Sequence, residues 1–405
     1  MLLKKTSAIL AVSILLLASC TKLTGPKTIM DSGDQTSSVE TTSPAIPAES
    51  TEIKELAYSE FDTETEQNLQ NITTSYKPTA VQVAFLDWNT IYTYCYGYAE
   101  KYSRRAVTDD TKYRIASLSK LITAMVFMAA QDRGLVDDET DISEYFGEPC
   151  YNPLYKNIAI TPSMLMTHLS SVASEIHYIL RKGLLSSGRF YLSTEPGKTY
   201  SYSNTGYGTL SCLLERVTQQ PFPDLAEAYL FDPMQIDAAY TWDRLDDGTD
   251  IGALYGESGG MTVNTVRSIR TDPLGMGLRI SYGNLLISAK DYVKLLGLLM
   301  YDGRDFNGKQ ILSSYAVNEM LERRFTQNMF GVAYGSQIQT NVIEGTTVYV
   351  HTGSANGMFS AFVFDPKAKK AAVVLSTGEG RRMNPDNEIY SLCLDLITEA
   401  WGQNS

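Results

Sequence analysis

The chain has 405 residues, 43% of them hydrophobic and 20% charged. That is enough apolar material for a large core, which excludes disorder throughout and allows one large domain or two to three smaller ones. Its 34 basic and 46 acidic side chains give a formal charge of −12, a sign that argues against nucleic acid as a partner.

Lys4 and Lys5 precede the apolar run "AILAVSILLLA", which is too short to span a bilayer and ends in Leu17-Ala18-Ser19-Cys20. Charge, apolar core and small residues in that order predict an export signal over residues 1–19. Its ending resembles the lipobox of bacterial lipoproteins. That resemblance implies that Cys20 becomes the lipidated first residue of an extracytoplasmic, membrane-anchored protein, held by acyl chains at roughly 0.8 kcal/mol per buried methylene. Loss of Lys4 and Lys5 with the signal leaves 32 basic against 46 acidic residues, a net charge of −14. From Thr21 to Glu55 the chain is rich in Thr, Ser, Pro and Glu and lacks apolar periodicity. Residues 20–57 therefore read as a flexible tether, and 58–405 as the folded domain.

Within that domain, Val81 to Leu86 and Ile91 to Tyr98 flank the turn-like "DWNT" and predict a β-hairpin. Leu118 to Arg133 has no Gly or Pro, is apolar on almost every side and stops at Gly134, as a buried central helix would. Residues 153–323 mix helical stretches such as "SAKDYVKLLGLLM" with loops marked by "EPG", "DDG", "ESGG" and "DPLG". Near the end, "TTVYVH", "MFSAFVFD" and "AAVVLST" predict strands, and "NEIYSLCLDLITEAW" predicts a terminal amphipathic helix. Early and late strands around a helical middle fit an α+β domain built on an antiparallel sheet. Cys95, Cys150, Cys212 and Cys393 form no CxxC pair and read as mostly buried thiols. His168, His177 and His351 show no metal-ligand spacing, so no metal is assigned.

The stretch "YRIASLSK" sets Ser117 three residues before Lys120. On a helix, that spacing puts both on one face, a turn apart. Ser117 fits two roles, helix cap and nucleophile. For the second, the amine must be neutral to accept the hydroxyl proton, and burial beside a helix N-terminus favours that form. The same terminus favours a developing oxyanion. Ser119 points elsewhere and is the poorer nucleophile.

"YRIASLSK" resembles the first motif of the penicillin-binding-protein and class C β-lactamase superfamily of serine hydrolases. Two further motifs follow in that family's order: "PGKTYSYSNTGYG", with Tyr202-Ser203-Asn204, and "HTGSANG", with His351-Thr352-Gly353. The flanking "ITPSMLMTHLSS" and "LLISAKDYVKLLGLLMYDGRDFNGKQILS" are also similar, so that the likeness spans about residues 75–400. A second Tyr-x-Asn, Tyr282 to Asn284, lacks the Pro-Gly before it and the Gly-Tyr after it, and reads as a decoy. The resemblance implies a β-lactamase/transpeptidase-like fold, with a sheet flanked by helices, a mainly helical subdomain and a cleft between them. It implies that Ser117 is acylated while Lys120 and Tyr202 move the proton. Asn204, His351, Thr352, Gly353 and Ser354 would orient substrate, with backbone N–H groups of Ser117 and Ser354 as oxyanion hole.

The third motif most often begins with Lys, whose fixed charge binds a substrate carboxylate. His351 is charged only below about pH 6.5 when unperturbed, so activity on carboxylate-bearing substrates is expected to weaken as pH rises through its pKa. His168 is expected to be structural, Ser171 stands where relatives usually have Gly, and Arg381 and Arg382 read as a solvated pair. No cofactor is implied. The substrates implied are small molecules or peptides carrying a D-amino-acid amide, ester or β-lactam. The expected activity is a D-alanyl-D-alanine carboxypeptidase or related D-peptidase, followed by β-lactamase and esterase. A non-catalytic penicillin-binding-like surface lipoprotein is the alternative of another class.

Overall fold

The computed structural model describes residues 55–174, 179–256, 258–263, 272–322, 325–327, 332–334, 338–343, 346–378, 380, 382–385 and 387–402. The expected signal, Cys20 and the tether up to Lys54 lie outside the described residues, as do His177 and Arg381. No described helix is long and apolar enough to cross a membrane.

The fold is α+β. Its main sheet has ten strands among the described residues. We label nine of them β1 (Ala57–Ser59), β2 (Ala80–Asp87), β3 (Thr90–Glu100), β4 (Phe325–Gln327), β5 (Val332–Tyr334), β6 (Gln339–Ile343), β7 (Thr346–Ala355), β8 (Met358–Asp365) and β9 (Lys370–Thr377). They lie in the order β1-β3-β2-β9-β8-β7-β6-β5-β4, and the short strand Arg105–Ala106 adds to β3. The predicted hairpin is β2–β3, and the late strands pair with it through β9 and β2. One expectation needs correction: β1 pairs with β3 in parallel, so the sheet is mixed rather than wholly antiparallel. Parallel pairing needs a crossover between the two strands, and here helix α1 (Thr63–Tyr76) and then β2 make up the connection from β1 to β3.

The sheet buries both faces, because alternate residues of one strand point to opposite sides. Val81, Val83 and Phe85 join one apolar cluster with Leu69 of α1 and with Leu392, Cys393 and Leu396 of the terminal helix. Ala80, Ala84 and Leu86 face the larger cluster, which holds the central helices. Those helices are α2 (Ser119–Asp132), α3 (Asn204–Thr218) and α4 (Ala289–Met300); α5 (Ser391–Gly402) is terminal. Every residue of α2 from Ser119 to Ala130 is buried, as its all-round apolarity predicts. α5 starts four residues later than its sequence pattern suggests.

Helix α1 and the strands β4–β6 carry too weak an apolar pattern to stand out in the sequence. α1 is fixed at its start by Asp62, whose carboxylate accepts from the Glu64 and Thr65 N–H groups. Cys150, Cys212 and Cys393 are buried free thiols, while Cys95 is half-buried.

Candidate active site

The chain enters the site through Tyr113–Arg114, which pairs with Leu286–Ile287. It then turns through a 3₁₀ segment, Ala116–Leu118, before α2 begins. Ser117 therefore sits one turn ahead of the α-helix and not inside it. Ala116 has φ +55, a left-handed conformation that costs an alanine roughly 1–2 kcal/mol. This strain at the residue before Ser117 is where a tightly constrained side chain would put it.

The SxxK spacing survives the change of helix type. Lys120 is fully buried, and its Nζ donates to Ser117 Oγ at 3.1 Å. The hydroxyl of Tyr202 donates to the same Oγ at 2.8 Å. The three groups that the sequence singled out thus meet at one oxygen. Ser119 Oγ instead donates to the Ala116 carbonyl at 2.7 Å, on the other side of the turn.

Tyr202 and Asn204 are placed by the residue between them. Ser203 is the N-cap of α3, its Oγ accepting from Gly206 N at 3.0 Å. That cap leaves Tyr202 just outside the helix and Asn204 at its first position. The Asn204 N–H donates to Ser174 Oγ at 3.1 Å, a contact that the sequence did not suggest. The Ser203 N–H donates to His168 Nδ1 at 3.1 Å. His168 is buried, at φ +60, with its ring 4.5 Å from that of Tyr202. It holds the Tyr202–Asn204 segment in place, which is the structural role expected of it. Ser171 has φ +58, a conformation natural to glycine, and its Oγ accepts from Asn152 Nδ2 at 3.0 Å.

The Tyr-x-Asn that reads as a decoy in the sequence lines the same site. Loop 281–285 runs along the start of α2 through four hydrogen bonds. Thr123 Oγ1 donates to Ser281 O at 2.7 Å, and Lys120 Nζ to Tyr282 O at 2.9 Å. Leu285 N donates to Ser119 Oγ at 3.2 Å, and Ile115 N to Leu285 O at 3.0 Å. A buried amine needs acceptors on every side, and this carbonyl supplies one. No sequence signal could have revealed it, since every residue carries the same carbonyl. Asn284 Oδ1 accepts from Arg114 Nε at 2.8 Å, which braces the approach to Ser117.

The third motif lies on β7. Gly353 is paired with Ser360 of β8, whose hydroxyl donates to Ile115 O at 3.2 Å. A Cβ at position 353 would collide with Ser360 Oγ and come within 2.9 Å of Ile115 O. Glycine is thus required for β7 to lie against the turn that carries Ser117. Thr352 is half-buried beside it and Ser354 is exposed just beyond.

His351 corrects the sequence reading. It is only 5% exposed, stacked between Phe362 at 6.2 Å and Tyr202 at 6.5 Å. Burial first, and then the nearby Lys120, push its pKa down to about 3. The imidazole is neutral throughout the physiological range, so it supplies no titrating charge near pH 6.5. The residue matches the motif position, but the pH dependence expected of it does not follow.

The comparisons with known proteins bear on the family and the fold. The β-lactamase family profile matches residues 65–393. The chain is 23% identical over 286 residues to penicillin-binding protein 4 of Amycolatopsis lactamdurans, covering 67% of this chain and 74% of that one. It is 30% identical over 144 residues to the D-alanyl-D-alanine-carboxypeptidase/endopeptidase AmpH of Escherichia coli K12, covering 33% and 37%. The fold matches D-amino acid amidase from Ochrobactrum anthropi SV3 with a TM-score of 0.65 at 20% identity, covering 84% of this chain and 98% of that one. With the profile matched across most of the chain, this protein belongs to the β-lactamase family, and is an enzyme of that fold's serine hydrolases.

Proposed function

We propose that the protein forms an acyl-enzyme at Ser117 and acts as a D-alanyl-D-alanine carboxypeptidase or related D-peptidase of the cell envelope. The observation that carries this reading is the shared oxygen: Ser117 Oγ lies 3.1 Å from Lys120 Nζ and 2.8 Å from Tyr202 Oη. Ser117 Oγ attacks the substrate carbonyl carbon, and its proton passes to the Lys120–Tyr202 pair. The oxyanion that forms is met by backbone N–H groups at Ser117 and Ser354. Collapse of the tetrahedral intermediate breaks the carbonyl bond to the leaving group, which takes the proton from the same pair. Water then hydrolyses the ester by the reverse proton path. Asn204, His351, Thr352 and Gly353 orient the acyl donor along β7. No cofactor enters these steps.

The names borne by the relatives, a carboxypeptidase/endopeptidase and a D-amino acid amidase, support the D-peptidase assignment. A second reading, an esterase or amidase acting on donors without a carboxylate, is favoured by the neutral, enclosed His351. Class C-like β-lactamase activity ranks below both, because the third motif lacks its usual lysine. The lipobox-like ending at Cys20 supports export and anchoring as a lipoprotein, outside the cytoplasm. Residues 1–19 are then the signal, 20–57 the tether and 58–405 the hydrolase domain.

The test is the intact mass of the protein after incubation with benzylpenicillin, a D-Ala-D-Ala peptide and p-nitrophenyl acetate. An adduct mapped to Ser117, absent in Ser117→Ala, supports the reading, and the donor that turns over ranks the activities. No adduct and no turnover with any donor would leave a non-catalytic surface protein as the better description.

A further inference from the structure

The end of the sheet away from Ser117 has features that the reaction does not use. Asp87, Lys370 and Asp365 are in register there, whereas Val81, Ser376, Phe359 and Ser354 are in register at the catalytic end. Ser376 lies six residue steps along β9 from Lys370, about 20 Å at the rise of an extended strand.

Trp88 occupies the tip of the β2–β3 turn at φ +52, where glycine is the natural residue, and 52% of its surface is exposed. Its N–H donates to Lys369 O at 2.9 Å, which pins it to the β8–β9 turn. That turn carries an exposed Lys367 in a chain of net negative charge. A cavity of about 310 Å³ opens beside it, lined by Val348, Val363, Ile397 and Trp401 together with Asp365 and Lys370. The described chain also enters here: Ala57 N donates to Asn89 O at 2.7 Å, and Asn89 Nδ2 donates to Glu55 O at 2.6 Å. Thirty-four residues separate Cys20 from Glu55, so an anchor at Cys20 would join the domain from this end.

We propose that this end is a lipid-contacting surface, at which Trp88 sits among the headgroups of a phospholipid bilayer and Lys367 meets their phosphates. The proposal rests on the reading that the chain is anchored at Cys20. Tryptophan is at home in that layer because its ring is apolar and its N–H finds polar partners. Trp88 is a bulky, half-exposed side chain held in a glycine conformation beside the point where the described chain begins. Asp87, Asp302 and Asp365 lie at the same end and offset the charge of Lys367, Lys369 and Lys370, so the indole carries the contact. The catalytic end is thereby held about 20 Å from the lipid, where it can meet cell-wall-sized substrates.

The test uses the full chain isolated from membranes and reconstituted into vesicles of phosphatidylethanolamine and phosphatidylglycerol with brominated acyl chains. Subtracting the emission of Trp88→Phe from that of the unaltered protein isolates Trp88 from Trp242 and Trp401. The Trp88 component is expected to be quenched at least twofold relative to unbrominated vesicles, with hydrolysis of a soluble ester unchanged in Trp88→Phe. An unquenched Trp88 in vesicle-bound protein overturns the proposal. Intact mass of the same sample reports on Cys20 separately. If Cys20 is unmodified, the anchoring reading fails, and the quenching is read with residues 1–19 replaced by a hexahistidine tag on nickel-chelating lipid. Quenching there upholds the surface, and its absence overturns it.

Discussion

Replacing His351 tests whether this imidazole is neutral in the folded protein. Its folded pKa is about 3, against about 6.5 for an unperturbed histidine in the unfolded chain. Between those values the unfolded chain binds a proton that the folded chain does not, so acid favours unfolding. The contribution of the neutral ring is fully present above about pH 6.5 and is lost as pH falls toward 3. From pH 7.5 to pH 5 the linkage amounts to about 2 kcal/mol. His351→Gln removes that titration, while the protein's other ionisable groups contribute equally to both chains. The measurement is denaturant unfolding of both proteins at pH 7.5 and pH 5. The unaltered protein is expected to lose about 2 kcal/mol more than the variant. Equal losses would show that His351 titrates near its ordinary value, and the argument from burial and Lys120 would be wrong. The same geometry makes turnover independent of His351 ionisation between pH 5 and 8, so an inflection near pH 6.5 that vanishes in His351→Gln would also refute it.

Tyr202→Phe removes the 2.8 Å hydrogen bond to Ser117; kcat/KM is expected to fall on the order of 10²–10⁴-fold, with little change in the thermal midpoint. His168→Ala strips the acceptor from the buried Ser203 N–H, at about 1–3 kcal/mol in denaturant unfolding. His168→Asn, which tolerates positive φ and keeps an acceptor, should recover part of both stability and turnover. Gly353→Ala forces a methyl group against Ser360 and Ile115 and should destabilise by about 1–3 kcal/mol while slowing acylation. Adding Ser360→Ala removes one of the colliding atoms, and a double variant no more stable than Gly353→Ala would point to the Ile115 side instead.

The residues of the candidate site were legible because each side-chain type is scarce and its chemistry narrow. An apolar helix with one lysine at its mouth, a Tyr-Ser-Asn after Pro-Gly and a glycine-bearing strand end are visible in one dimension. The β2–β3 hairpin and α2 were legible for a different reason: alternation and all-round apolarity are local patterns. The Tyr282 carbonyl, the Ser174 hydroxyl on Asn204 and the parallel pairing of β1 were not legible. Backbone groups carry no residue identity, and contacts across 30 or 162 positions have no local signature.

Sequence alone determined which groups are available for chemistry, since covalent structure sets what each side chain can donate, accept or attack. Only tertiary structure decided their state. Burial made His351 a neutral ring rather than a titrating charge, and close approach made Gly353 indispensable. The 3₁₀ turn, not the helix proper, holds Ser117 beneath Tyr202. Protonation and reach depend on what surrounds a group in space, and that environment exists only once distant segments have packed together.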